Sequence, residues 1–143
     1  MCEDHYLPNE FNYIIYQATS GGISSPDSDA RIDYYGIGGF PTLQFDGSWE
    51  TRVGAGGGVV DGEEYIALID QRRQTTAPLA VFVSDYSFEP GAAFAEVGVR
   101  MFADYPNSNH KIRIAVVADE LRYGGDDYDN TLRDMLPDQV LTI

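Results

Sequence analysis

The segment "YYGIGGFPTLQFDG", residues 34–47, constrains the fold most strongly because a proline opens a strand-like pattern. Pro41 has no amide hydrogen to donate to a sheet ladder, so within sheets proline is restricted to first positions, edges and bulges. Thr42 to Phe45 then predict a short strand, and Asp46-Gly47 is a preferred turn of an antiparallel hairpin whose second strand lies around "WETRVGA". If the bond before Pro41 is cis, it makes a tight turn that leaves neighbouring backbone groups free to pair elsewhere.

One further strand and two helices are predicted around this hairpin. "FNYIIYQ", residues 11–17, is rich in aromatic and β-branched residues, as a buried strand is. In the loop that follows, Asp27, Ser28 or Asp29 can cap a helix that runs through "ARIDYYGI" and ends near Gly36. "DGEEYIALIDQRRQ" begins with acids and ends with arginines, the order that a helix dipole favours. Its apolar face contains Tyr65, Ile66 and Ile69.

From residue 77 onward the pattern changes to an alternation of apolar and polar residues. "APLAVFVSDY", "AFAEVGVRMFADY" and "HKIRIAVVADELRY" each predict a strand, and "PGA" and "YPNSNH" supply the turns. In the second strand, one face carries Ala95, Val97, Val99, Met101 and Ala103, and the other carries Glu96, Arg100 and Asp104. We therefore predict an α+β chain, with a helix-and-strand half over residues 1–76 and an antiparallel sheet or sandwich half over residues 77–143.

The amino-acid composition is that of a globular protein and limits the partners that can be expected. The chain has 143 residues, 43% of them hydrophobic, and is long enough to bury an extensive core. Its 23 acidic and 9 basic residues give a formal net charge of -14. Because so acidic a surface repels phosphate backbones, nucleic acid is not an expected partner. No apolar run approaches the ~20 residues of a membrane-spanning helix, so no membrane span is expected.

The order strand, helix, proline-led hairpin, helix resembles the second half of a thioredoxin fold, with Pro41 matching the cis-proline. Taken with "IAVVADELRY" and "YDNTLRDMLP", the chain resembles the twenty-eight-kilodalton outer-membrane protein family, in which a thioredoxin-like domain is joined to a β-sandwich. The matching residues are Arg31, Tyr34, Tyr35, Gly36, Pro41, Asn130 and Arg133, and Glu120 lies near a recurrent acid of the family. The resemblance implies an extracytoplasmic location. It also implies a protein or peptide partner bound in a cis-proline groove of Tyr35, Phe40, Pro41 and Thr42.

The departures from this pattern remove its redox chemistry. The first strand and the Cys-x-x-Cys of a thioredoxin fold have no counterpart, and Cys2 is the only cysteine, so the chain cannot cycle between dithiol and disulfide. Cys2 and His5 lie near a terminus with no third group to order them, which argues against a catalytic pair. We predict a non-catalytic interaction or structural module. The alternative is a fragment of a thiol-disulfide oxidoreductase whose dithiol lies upstream.

Acidic clusters keep a calcium- or glycan-binding surface module open as a third interpretation. Oxygen ligands at spacings that calcium accepts occur in two segments. The first has Asp27, Asp29 and Asp33, and the second has Asp126, Asp127, Asp129 and Asn130. Neither matches an EF-hand loop, and solvated acidic turns are the commoner outcome, so no cofactor is predicted.

Tyrosines are concentrated in the first half of the chain. They either form an aromatic binding face or, more commonly for such residues, pack their rings against the core and keep their hydroxyls at the surface. The residues concerned are Tyr6, Tyr13, Tyr16, Tyr34 and Tyr35.

The missing first strand also predicts an assembly. In a thioredoxin-like sheet that strand lies between residues 11–17 and the strand at Thr42, so its absence leaves two unpaired edges facing a gap. Buried amides without partners cost about 1–3 kcal/mol each. Either another segment of the chain fills the gap or a second copy lends a strand, and on this ground a homodimer is favoured over a monomer.

Overall fold

The computed structural model describes residues 5–7, 10–18, 22–54, 62–104 and 110–140. Within them, two α-helices are present, α1 (Pro26–Tyr34) and α2 (Glu63–Arg73). Ten strands accompany them: β1 (Thr42–Phe45), β2 (Glu50–Val53), β3 (Leu79–Glu89), β4 (Ala92–Met101), β5 (Lys111–Ile112), β6 (Ala115–Ala118), β7 (Leu121–Tyr123), β8 (Asp126–Tyr128), β9 (Thr131–Met135) and β10 (Gln139–Val140). All five strand pairs are antiparallel, which confirms the predicted α+β class.

Helix α1 begins earlier in the chain than predicted. Its N-cap is Ser25, whose side chain accepts a hydrogen bond from the Ser28 amide at 3.1 Å, and Pro26 follows in the first turn. Proline suits this position because its fixed φ is helical and its missing N–H has no intrahelical partner there. The helix ends before Gly36, at φ 64°, where glycine adopts the left-handed conformation without a steric cost. The predicted end is therefore confirmed, and the predicted cap is wrong.

The β1–β2 hairpin has the predicted strands, with Thr42 opposite Val53 and Phe45 opposite Glu50. Asp46 and Gly47 both have positive φ, 47° and 76°, as the turn chemistry requires. The Phe40–Pro41 peptide bond is cis. Helix α2 follows the charge order predicted for it, and its apolar face holds the buried Ile69.

Strands β5 to β10 form one long, interrupted hairpin with its tip at Gly124 and Gly125, because the β7–β8 pair is nested inside β6–β9 and that pair inside β5–β10. The single strand predicted from residue 110 to 123 is therefore wrong. The ladder breaks at Glu120 and Asn130, both at positive φ. At the break, Asp129 accepts from the Glu120 amide at 2.9 Å, and Asp119 accepts from the Asn130 amide at 3.1 Å.

The segment at residues 11–17, predicted as a buried strand, also differs from the prediction. Within the described part, it forms no ladder with β1 or β2 and makes one parallel bridge, between Ile15 and Thr131. The Ile15 amide donates to the Asn130 carbonyl at 2.9 Å, and its carbonyl accepts from the Leu132 amide at 3.0 Å. This segment therefore pairs with the second half of the chain.

The core is smaller than the composition predicts. Among described hydrophobic residues, only Tyr6, Ile23, Ile69 and Leu132 are buried. Most of the burial lies where α1 meets β9, since Ser28, Thr131 and Leu132 are fully enclosed there. Polar ties reinforce this contact: Asp27 accepts from the Met135 amide at 3.1 Å, and Arg133 donates to the Ile23 carbonyl at 2.9 Å. These contacts cross the predicted boundary at residue 76, which stays a prediction.

None of the helices in the described ranges has the length and apolar character needed to cross a membrane.

Candidate functional site: a groove between residues 10–18 and β1

A groove with a volume of about 1040 Å³ separates residues 10–18 from β1. Residues 10–18 form one wall, and residues 40–47 form the other. Ile32, Tyr35 and Ile37 line it from α1 and the residues after it, and Tyr65 and Ile69 line it from α2. The gap predicted between the segment at 11–17 and the proline-led strand is therefore present.

Strand β1 presents one unpaired edge to this groove. It pairs with β2 alone among the described strands. The Pro41 carbonyl accepts from the Gly54 amide at 2.8 Å, which places Pro41, Leu43 and Phe45 at the positions that bond to β2. Because the bonding direction alternates along an antiparallel strand, the amides and carbonyls of Thr42 and Gln44 point away from β2 and towards the groove.

The opposite wall has the same property. Both backbone groups of Ile15 are directed at β9, where they bond to Asn130 and Leu132. In an extended segment the next residues direct their backbone groups the other way, so the amides and carbonyls of Ile14 and Tyr16 face the groove. Two extended backbone edges therefore face each other across it.

The inner surface of the groove is aromatic and aliphatic. The rings of Tyr16 and Tyr35 have centroids 6.3 Å apart, and those of Phe45 and Tyr65 lie 6.2 Å apart. Burial raises the pKa of Tyr16 above its ordinary range, and the neighbouring Tyr35 hydroxyl adds to this effect. The Tyr16 hydroxyl, uncharged at neutral pH as in any tyrosine, therefore stays uncharged further into the alkaline range, which suits apolar side chains on a bound segment.

One end of the groove carries two arginines from the last turn of α2. Arg72 forms an ion pair with Asp46, and Arg73 forms one with Glu10. The guanidinium of Arg73 also lies 5.2 Å from the centre of the Tyr6 ring. Because each arginine has a carboxylate partner from a wall of the groove, these pairs tie both walls to α2 instead of offering a free positive charge.

All four residues predicted for the cis-proline groove, Tyr35, Phe40, Pro41 and Thr42, line this groove. Phe40 is 59% exposed, and the Thr42 hydroxyl donates to the Gly39 carbonyl at 2.7 Å. The sequence predicted two unpaired edges facing a gap but not which residues turn towards it, and the pairing directions now place the backbones of Ile14 and Gln44 there. The alternation of backbone direction along each strand identifies these residues, but only when the strand that pairs with the opposite edge is known.

The other predicted groups are not brought together. Cys2 lies outside the described residues, and His5 is exposed beside Tyr6, with ring centroids 4.8 Å apart. The five tyrosines do not share one face. Tyr13, Tyr16 and Tyr35 line the groove, whereas the buried Tyr6 donates to the Ile66 carbonyl at 3.0 Å and Tyr34 lies outside, 60% exposed.

Several of the acidic candidates, Asp27, Asp127 and Asp129, are engaged in protein contacts. Asp127 pairs with Arg122 at 2.9 Å, Asp129 holds the Glu120 amide, and Asp126 lies opposite Tyr123 in the β7–β8 ladder. In the part of the chain that is described, no three or more histidine, cysteine, aspartate or glutamate residues are grouped as a metal site would need.

Comparison of the chain with protein-family models, with curated proteins and with solved structures finds no match in any of the three. The resemblance to thioredoxin-like outer-membrane proteins therefore stays a prediction.

Proposed function

We propose that this chain is a non-catalytic, extracytoplasmic interaction module that binds an extended peptide as an added strand in the groove between residues 10–18 and β1. The observation that carries this proposal is the pair of facing backbone edges, Ile14 and Tyr16 on one wall and Thr42 and Gln44 on the other. Strand addition takes its affinity from such main-chain groups and its specificity from the pockets for alternate side chains.

The size of the groove suits a short strand. Neighbouring strands lie about 4.8 Å apart, stacked layers lie about 10 Å apart, and each residue extends a strand by about 3.3 Å. The product of these spacings gives a volume of roughly 160 Å³ for each residue of an added strand. A volume of about 1040 Å³ therefore corresponds to roughly six residues. A strand of this length pairs with both walls at once, which removes the only unpaired edge of β1 seen in the described part.

The lining suggests the chemistry of the peptide. Ile32 and Ile37, from α1 and the residues after it, and Ile69, from α2, offer apolar contacts, and the half-buried Gln44 of β1 accepts a hydrogen bond from Thr51 at 2.8 Å. A peptide with apolar residues at every second position, separated by hydroxyl-bearing ones, suits a lining that is mainly apolar with single polar side chains such as Gln44. The extracytoplasmic location is supported by the family resemblance alone.

The test uses an acetylated octapeptide that alternates valine with threonine and has a lysine at each end. Amide hydrogen exchange followed by NMR reads the groove residue by residue. We expect saturating peptide to slow exchange at Thr42, Gln44, Ile14 and Tyr16 by at least about tenfold, because each of these amides gains a partner. The amides of Leu43 and Phe45, already bonded to β2, should change little.

The matched control is the same octapeptide with alternate amides N-methylated, which keeps the side chains and removes the donors of one edge. It should protect at most one wall of the groove, because the methyl groups block one edge of the added strand. Protection that is equal with both peptides, or that appears away from the groove, would show that strand addition is the wrong account. Failure of the unmodified octapeptide to alter any of the four amides would do the same.

A further inference from the structure

The β3–β4 hairpin has one face made entirely of apolar residues. We call this the hairpin face. From β3 it takes Leu79, Val81, Val83, Tyr86 and Phe88, and from β4 it takes Ala93, Ala95, Val97, Val99 and Met101. The register shifts between Val83 and Asp85, so Ser84 is an extra residue on β3. This bulge keeps Tyr86 and Phe88 on the same side as Val81 and Val83, which strict alternation would not do.

The opposite face of the same hairpin is mixed and charged. It carries Asp85, Glu89, Glu96 and Arg100, and its Phe82 ring lies directly over Gly98, where an added Cβ would be 2.5 Å from the ring. That face is thus partly covered by its own side chains. The hairpin face has no charged residue at all.

The outer part of the hairpin face lies in water. Val81, Val83, Tyr86 and Phe88 are 58%, 59%, 67% and 78% exposed. No other described helix or strand makes an extensive contact with β3 or β4. A two-stranded hairpin on its own is marginally stable, and a sheet with one wholly apolar face requires a second layer.

We propose that two copies of this chain pack their hairpin faces against each other as a two-layer dimer. The face is self-complementary in shape. Near its tip, the large Tyr86 and Phe88 on β3 stand directly opposite the small Ala95 and Ala93 on β4, so a ridge runs beside a furrow. A two-fold axis along the strands puts β3 of one copy over β4 of the other, and each ridge then fills the partner's furrow.

Charge and area agree with a second copy as the occupant. The acids of the hairpin lie on the outward side of such a dimer, which keeps like charges of a chain with net charge -14 away from the interface. Two aromatic and two valine side chains expose about 500 Å² per copy, so a pair buries about 1,000 Å², the lower bound for a specific interface. This surface differs from the strand groove, where the sequence predicted the dimer.

The test is the mass in solution, measured by light scattering on a size-exclusion peak in dithiothreitol, which prevents a Cys2 disulfide from linking two chains. We expect twice the 15.8 kDa of one chain at high concentration. Phe88→Asp places a charge on the hairpin face and should weaken the dimer by about thirtyfold or more in Kd. The matched control is Phe94→Asp, the same substitution on the opposite face of the same hairpin, and it should leave Kd within about threefold.

Tyr86→Lys is the second variant on the hairpin face and should dissociate the dimer in the same way. Circular dichroism identifies any variant that fails to fold. The proposal is overturned if the unmodified chain has the mass of one copy across a hundredfold range of concentration, or if Phe94→Asp dissociates the dimer as strongly as Phe88→Asp. Neither result bears on peptide binding, because the groove and the hairpin face are separate surfaces.

Discussion

Arg113 joins α1 to the base of the long hairpin through a single side chain. It donates to the Tyr34 hydroxyl at 3.2 Å, its guanidinium lies 4.7 Å from the centre of the Tyr34 ring, and it pairs with Asp138 at 3.3 Å. Lys111 reaches the same carboxylate at 3.1 Å. The hydrogen bond from Arg113 lowers the pKa of Tyr34, and the bond from Lys111 lowers the pKa of Asp138.

The first prediction concerns the ionisation of Tyr34. Its pKa lies below its ordinary range, whereas burial raises the pKa of Tyr16, so these two tyrosines should ionise early and late in an alkaline titration followed by tyrosinate absorbance. Tyr34→Phe should remove an early component, and Arg113→Gln should move that component to higher pH. Because the folded pKa of Tyr34 is depressed, its ionisation adds stability only at alkaline pH, and this contribution is lost as the pH falls through the folded pKa.

The Arg113→Gln curve provides the check. If it is superimposable on that of the unmodified chain, the contact between Arg113 and Tyr34 is not formed in solution. Removal of the latest component by Tyr34→Phe would contradict the direction of the shift.

At the scale of elements, α1 is held mainly by polar contacts at its N-terminal end. Ser25 is 5% exposed and caps the helix, and its hydroxyl lies 3.5 Å from the Leu132 carbonyl of β9. Asp27 of α1 accepts a hydrogen bond from the Met135 amide of β9, and Arg133 of β9 donates one to the Ile23 carbonyl in the loop before α1. The Arg133 side chain thus joins β9 to the loop before α1, and the backbone carbonyl of Asn130 accepts a hydrogen bond from the Ile15 amide.

The second prediction is that Ser25→Ala lowers the free energy of unfolding by about 1 kcal/mol, within a range of about 0.5–2, because the Ser28 amide loses its cap. Urea denaturation measures this change. The same substitution at the exposed Ser48 is the control and should alter the free energy of unfolding by less than about 0.5 kcal/mol. Equal effects at the two serines would mean that the cap contributes nothing to stability.

At the scale of the whole molecule, the chain leaves much surface in water. Its accessible area is 10534 Å², whereas a compact monomer of 15.8 kDa has about 7,300 Å². The groove and the hairpin face are two of the surfaces that contribute to this area. An open backbone edge and an uncovered apolar face are both features that partners bury, which is why the two proposals concern interactions and not chemistry.

The third prediction is that the chain will not reduce insulin disulfides in dithiothreitol faster than the uncatalysed rate. Resolving a mixed disulfide needs a second thiol, and Cys2 is the only cysteine. Precipitation of the reduced insulin chains gives the rate, with Cys2→Ser as the control. Acceleration that persists in Cys2→Ser would refute this account of the chemistry.

The sequence alone determined the local elements of this protein. Pro41 and the Asp46-Gly47 turn predict the β1–β2 hairpin, the charge order of "EEYIALIDQRR" predicts α2, and alternation predicts the β3–β4 pair, because each of these signals acts between residues that are close along the chain. The gap beside β1 was expected only from the resemblance to a thioredoxin-like strand order, which stays a prediction, and no pattern within the residues themselves indicated it.

Only the tertiary structure decided which edges found partners. Ile15 bonds to residues more than a hundred positions later, and this pairing alone turns Ile14 and Tyr16 towards the groove. The five tyrosines were divided between groove, core and exterior for the same reason, and the Ser84 bulge directs Tyr86 and Phe88 to the hairpin face. Such outcomes depend on the backbone groups and surfaces that remain free once distant segments have packed, and no periodicity within one segment records them.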